Sequence, residues 1–470
     1  MKIHNLLKII VIEMVFLGVS CFAQNDTLFT RTELYHPGDY GSANYRIPAV
    51  ITAKDGTIVA VTDKRKYNEG DLPQDIDIVC NRSFDGGLTW SEPYTIAQGT
   101  GINHGFGDCA IAWSNDENGL IAVFVGGVGL WNSTPSNPIR SYKSYSYDNG
   151  ATWTEPEDIT DFIFGDNCII PEHQSWRASF FGSGNGLLTS TGRIMFVAAI
   201  REGSAQSLNN YAVYSDDNGL TWHVSGRASV GGDEAKVTEL VDGRILMSIR
   251  HSGYRWYNIS EDGGETWRAS TSTWYDIQAP ACNGDIIRYT SVNQGYNKNR
   301  LLHSVPHGTQ RRDVTVYISY DEGETWPVSK VIVPYSSAYS SLCILPDGTI
   351  GLYVEEEPNG TSGYSTTFYN FNLEWLTDGA DSLEDDAVTE NANNDSLKLY
   401  PVPASSFIMI EAENIKKVLV YNAQGKTVIK KIFAFETANA QIDTASLPSG
   451  TYLIEIINTE GISKKGRIVK

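Results

Sequence analysis

The chain has 470 residues, 41% of them hydrophobic and 20% charged, enough apolar content for a large core. Its 36 Lys and Arg are outnumbered by 56 Asp and Glu, giving a formal charge of −20. That balance excludes binding along a phosphate backbone, which needs basic patches, and an aromatic content of 11% excludes a largely disordered chain.

The N-terminus reads as an export signal over residues 1–23. Lys2 and Lys8 precede an apolar run from Ile9 to Val19, interrupted by Glu13, and Ala23 offers a small residue at the cut. The run is too short for a spanning helix. Cys21 raises a lipoprotein alternative, but Gly-Val-Ser before it is an imperfect lipobox. Five cysteines follow the cut: Cys80, Cys109, Cys168, Cys282 and Cys343. They show no CxxC pair and no metal-ligand spacing, and read as buried small side chains with one or two bridges.

From residue 26 to residue 377 the chain is repetitive. One eight-residue phrase occurs five times: SFDGGLTW (83–90), SYDNGATW (146–153), SDDNGLTW (215–222), SEDGGETW (260–267) and SYDEGETW (319–326). The copies are offset by 63, 69, 45 and 59 residues, room for about four short strands each. Asp before Gly marks a tight turn, and the Trp that follows is a large anchor for packing between repeats. Phrases such as TGRIMFVAA (191–199), DGRILMSIR (242–250) and PDGTIGLYV (346–354) repeat the turn-then-strand rhythm. No long amphipathic helical pattern intervenes, so the region reads as an all-β array of propeller blades.

Residues 378–395 carry seven acidic side chains and no basic one, and read as a flexible linker. From 396 to 470 the balance reverses, with ten Lys and Arg against six Asp and Glu. Strand-like runs alternate with turns there, including a hairpin around Asn422–Gly425.

Two resemblances follow from these motifs. The tail, with LYPVPAS (399–405), VLVYNAQGK (418–426), LPSGTYLIEI (447–456) and KKGRIVK (464–470), is similar to the C-terminal sorting domain of the type IX secretion system. That implies a small β-sandwich that addresses the protein across an outer membrane. The alternative is an accessory carbohydrate-binding β-sandwich. The repeated phrase is the Asp box, and YRIPAV (45–50) resembles the Phe/Tyr-Arg-Ile-Pro signature of the sialidases. The resemblance implies a six-bladed β-propeller with a site at its central axis, one blade lacking an Asp box. It implies a secreted, retaining exo-α-sialidase, a glycoside hydrolase acting on terminal sialic acid of glycoproteins, glycolipids and oligosaccharides.

Each part of that chemistry has a candidate. The substrate carries a carboxylate on its anomeric carbon, which guanidinium forks grip well. Arg46, Arg250 and Arg311 match the family's three arginines, with Arg312 as the alternate to Arg311. Sialidases use a Tyr nucleophile where most retaining glycosidases use a carboxylate; a neutral phenol avoids repulsion from the substrate's own anion. Tyr339 matches that position, with Tyr335 as competitor. Glu234, 16 residues before Arg250, matches the base that takes the phenol proton, while Glu239 reads as a strand residue. Asp71 matches the acid/base and Arg65 an arginine beside it; Asp75 and Asp77 compete, Asp77 reading as structural. Glu355 matches a glutamate that holds Arg46, with Glu356 and Glu357 leaving the register open. Trp131, Phe106 and Asp108 lie on loops that could line the sugar pocket, though each is more often structural. No metal or cofactor is implied for catalysis. The expected partners are sialylated glycans and the type IX machinery, with no nucleic acid. The competing readings are a sialoglycan-binding propeller without activity, and a trans-sialidase.

Overall fold

In a computed structural model of the chain, the described residues are 28–383, apart from 359, 361 and 362, together with 397–400, 407–422, 426–448, 450–458 and 463–470. The export signal expected at 1–23 lies outside them.

The described residues form a six-bladed β-propeller and a separate C-terminal β unit. Blade 1 is built from Asn44–Thr52, Ile58–Arg65, Ile76–Ser83 and Tyr94–Ala97, paired in that order. Four more sheets follow along the chain, led by Phe106–Trp113, Ala178–Phe181, Ala235–Glu239 and Asp285–Thr290. The long strand Val328–Ile344 ends blade 5 and then begins blade 6, pairing Arg312–Ser319 with its first half and Ile350–Glu356 with its second. Blade 6 is completed by Ser365–Phe371 and, from the start of the domain, Phe29–Tyr35. This pairing of first and last strands closes the ring and leaves no free edge there.

The five Asp boxes all lie between the third and fourth strands of blades 1–5. In each, the Asp carboxylate accepts from the Thr backbone N–H at 2.8–2.9 Å and from the Thr hydroxyl at 2.5–2.7 Å. The Ser hydroxyl accepts from the Gly N–H at 2.7–2.9 Å. Glycine is required at that place in the first copy: Gly87 has φ of 89°, and a Cβ there would come within 2.3 Å of Phe368. Blade 6 has no Asp box because its fourth strand arrives from the other end of the domain.

The Trp of each box packs against the preceding blade. Trp90, Trp153, Trp222, Trp267 and Trp326 join five successive interblade clusters. The interface between blades 5 and 6 is filled instead by Tyr369, Phe371 and Trp375, the last on the short helix Leu373–Leu376. Each interface thus has its own large aromatic anchor.

Two expectations change. All five cysteines are buried and free, so no bridge forms; each is a small apolar filler. The acidic segment does not begin as a linker. Asp381 is buried and pairs with the fully buried Arg300 at 2.7 Å, and Leu383 packs against the blade 5–6 core. Residues 384–396 lie outside the described ones.

In the C-terminal unit, five strands form one connected sheet. The long strands Phe407–Tyr421 and Thr427–Asp443 run through both of its halves, with irregular register between Glu411 and Lys417. One core holds Ile408 and Ile410 together with Val418, Val420, Ile454 and Ile456. The hairpin expected around Asn422–Gly425 joins these two strands, although residues 423–425 are outside the described set.

Candidate active site

The inner strand of blade 1 carries the YRIP segment. Its pairing slips between Arg46 and Ala49, and Ile47 takes a φ of 64°. A β-branched residue in the left-handed region is strained. Glu355, fully buried on blade 6, holds this bulge: its Oε1 accepts from Ile47 N at 2.8 Å and Arg46 Nε at 3.1 Å. Its Oε2 accepts from Arg46 Nη2 at 3.0 Å and from Tyr339 N at 3.3 Å. Of the three glutamates at 355–357, Glu355 is the one that pairs with Arg46. Glu356 serves Arg31, Tyr335 and Tyr369, and Glu357 accepts from Ser336.

Tyr339 is 7% exposed on the second half of the long strand of blade 6. Its hydroxyl donates to Glu234 Oε2 at 2.7 Å and accepts from Arg250 Nη1 at 2.9 Å. Arg250 also donates to Glu234 and lies 3.2 Å from Asp233. Glu234 heads the inner strand of blade 4, so the contact spans two blades that are not neighbours. Burial, reinforced by Glu234, pushes the Tyr339 phenol well above its ordinary range, against the pull of Arg250 and Arg46. The free phenol is therefore neutral.

The Arg46 and Arg311 guanidinium carbons each stand 5.5 Å from the Tyr339 ring centre. Three cationic forks thus converge on one phenol. Arg311 donates to Ala281 O at 3.1 Å and makes no ion pair among the described residues. Its alternate, Arg312, is exposed and paired with Asp313.

Asp71 lies on the loop after Ile58–Arg65, with a side chain 75% exposed and 2.7 Å from Arg65 Nη2. Arg65 is buried and also donates to Glu69 O. The competitors have other partners. Asp75 and Asp77 both pair with Lys66, Asp77 also accepting from Gly99 N at 2.7 Å. Glu239 accepts from Ser190, and Tyr335 donates to Glu356. Phe106 packs against Phe124 and Tyr142, and Trp131 is an exposed ring 5.7 Å from Arg201.

Sequence reasoning missed two residues here. One is Asp63, buried two residues before Arg65 and 3.5 Å from its Nη2. Burial and the nearby Asp71 carboxylate push Asp63 up to about 7, with Arg65 opposing. Asp108, expected on a loop, lies instead within the strand Phe106–Trp113 at φ 55°, and burial with Asp63 raises it well above the carboxylate range. The second missed residue is Tyr364, whose ring lies 5.4 Å from Arg46. The alternation around TDKR could have indicated Asp63; nothing local marks Tyr364.

A family model described as a BNR repeat-like domain matches residues 56–352, and one described as a secretion system C-terminal sorting domain matches 398–470. A sialidase of Micromonospora viridifaciens is 34% identical over 371 residues, covering 75% of this chain and 55% of that protein. This chain therefore spans little more than half of that relative's length. A sialidase of Clostridium perfringens is 30% identical over 316 residues, 63% of this chain and 80% of its own. Among solved structures, the Hadza microbial sialidase Hz136 superposes with a TM-score of 0.65 at 27% identity, over 74% of this chain and 69% of that one. With its Asp boxes, its three converging arginines and these relatives, the chain belongs to the sialidase family of glycoside hydrolases, and it ends in a secretion-system sorting domain.

Proposed function

We propose that the protein is a retaining exo-α-sialidase that releases terminal sialic acid from glycoproteins, glycolipids and oligosaccharides. The observation that carries this reading is the Tyr339–Glu234 contact of 2.7 Å inside a ring of three arginines. Arg46, Arg250 and Arg311 would clamp the substrate carboxylate, Arg311 with a fork no carboxylate among the described residues occupies. Tyr339 would attack the anomeric carbon while Glu234 takes its proton, giving a covalent glycosyl-enzyme. Asp71, steadied by Arg65, would protonate the leaving oxygen and then deprotonate the water that releases the product. A propeller that only binds sialoglycans would need the arginines and not the Tyr–Glu–Asp set.

We further infer export through the type IX machinery, with 396–470 as the sorting domain, a catalytic domain that runs from 26 past 377 to include Asp381 and Leu383, and an acidic connection after it. The reading is tested with α2,3-, α2,6- and α2,8-linked sialyl substrates, with lactose added as acceptor in a parallel arm. Free sialic acid from at least one linkage is expected; no release from any of them contradicts the reading, and transfer to lactose in place of release would make the protein a trans-sialidase.

A further inference from the structure

Beneath the Glu234–Tyr339 contact lies a second polar layer that the reaction above does not use. Two chain segments reach both layers with the two-residue period of a strand. Glu234 is followed by Lys236 on blade 4 and Tyr339 by Ser341 on blade 6, while Asn283 and Asp285, which head blade 5 between them, both lie in the lower layer. The upper layer holds the reacting pair. The lower one holds two hydrogen-bonded groups, one around Asp285 and one around Lys236, joined by the backbone from Asn283 to Asp285.

Asp285 is fully buried, and its Oδ2 accepts from Asn185 Nδ2 at 2.6 Å, Ser341 Oγ at 3.1 Å and Leu342 N at 2.8 Å. Ser341 Oγ in turn accepts from Val50 N, 3.1 Å away on blade 1. One carboxylate thereby ties blade 5 to blade 6, to blade 1 and to the axial segment Gly184–Asn185. Lys236, 1% exposed, donates to Asn283 Oδ1 at 3.0 Å, and Asn283 Nδ2 donates to Ser183 O at 2.9 Å. Backbone closes around the ammonium. A Cβ on Gly182 would lie 3.3 Å from Nζ, and one on Gly184 would lie 3.0 Å from Cε.

Lys236 makes no direct ion pair among the described residues. A buried ammonium on one neutral amide is costly to fold. The charged groups that face it are Asp285 from blade 5, Glu234 from its own strand, Arg255 from the third strand of blade 4 and Asp108 from blade 2. Burial pulls Lys236 down to about 8, with Asp285 and Glu234 opposing, and burial raises Asp285, with Lys236 opposing.

We propose that Lys236 and Asp285 are positioning residues: the axial layer they anchor fixes the separation of Glu234 from Tyr339. This rests on the sialidase reading above. A misplaced reacting pair loses rate in the chemical step more than in binding.

The test measures kcat and KM on an aryl sialoside for the full chain, Lys236→Met and Ser341→Ala, with melting temperatures. Lys236→Met should lower kcat about 10- to 100-fold with KM little changed. Ser341→Ala should lower kcat in the same sense, again with KM little changed. A folded Lys236→Met with wild-type kcat overturns the proposal. So does a variant whose loss of kcat disappears well below its melting temperature, which is a structural role alone. If Lys236→Met does not fold, wild-type kcat in Ser341→Ala overturns it. An inactive wild type overturns the sialidase reading and this inference with it; an active wild type with indifferent variants overturns this inference alone.

Discussion

Tyr339 and Glu234 stand 105 positions apart in the chain and 2.7 Å apart at the axis, phenol to carboxylate. The phenol is held neutral by burial, so in the proposed reaction it attacks as Glu234 takes its proton. Tyr339→Phe removes one hydroxyl from a packed ring and leaves the Arg250–Glu234 pair intact. Turnover of an aryl sialoside should fall by about 1,000-fold or more, with a melting temperature near that of the wild type. A steady-state assay beside thermal unfolding checks both.

Arg311 makes no ion pair among the described residues, so its loss should cost binding and not the fold. Arg311→Ala is expected to lower kcat/KM by about 100-fold, on the order of 3 kcal/mol of lost charge-assisted hydrogen bonding. Arg311→Lys should recover little of this, because an ammonium lacks the planar fork. Kinetics of both variants, with their melting temperatures, provide the check.

Asp63 makes stability depend on pH in a stated direction. Its carboxyl is raised from 3.8 to about 7 by burial, with Arg65 opposing. The folded protein then keeps a proton that the unfolded chain releases. Stability from this group is full below 3.8 and is lost as pH rises through about 7. Asp63→Asn should therefore gain stability relative to the wild type progressively from about pH 4 to about pH 7, at up to about 1.4 kcal/mol for each pH unit climbed. Denaturant unfolding of both proteins across that range measures it.

Asp381 is the counter-ion of a fully buried guanidinium, with its oxygens 2.7 Å from Arg300 and 2.7 Å from Lys298. These partners and Tyr320 hold it at about 2 against burial. Asp381→Asn should destabilise the propeller by about 3–5 kcal/mol near neutral pH, as an uncompensated buried charge does. The difference should shrink as pH falls from 3.8 towards 2, where the wild-type carboxylate itself takes a proton. Urea unfolding of both proteins near neutral pH and in acid tests this.

Much of the ring was legible because its turns are local. Ser, Asp, Gly, Thr and Trp at fixed spacing specify one turn and one interblade anchor, wherever the copy lies. Closure was not legible in this way: Phe29–Tyr35 finds its partner at Ser365–Phe371, at the far end of the domain, and Trp375 replaces the missing Asp-box Trp from a helix that no repeat announces. At the site, motif position picked out Arg46, Arg250 and Tyr339, which the axis brings together. The lower layer escaped, because Lys236 and Asp285 look like ordinary strand residues until three blades meet. Asp381 misled for the same reason: in an acidic run it reads as solvated, and only the buried Arg300 shows otherwise.

The most direct test of the account is to trap the enzyme with a 2,3-difluoro sialic acid, whose second step is slowed, and to map the labelled peptide by mass spectrometry. The expected result is one glycosyl adduct on Tyr339, absent from Tyr339→Phe. An adduct on another residue, or release of product with inversion at the anomeric carbon, would contradict it.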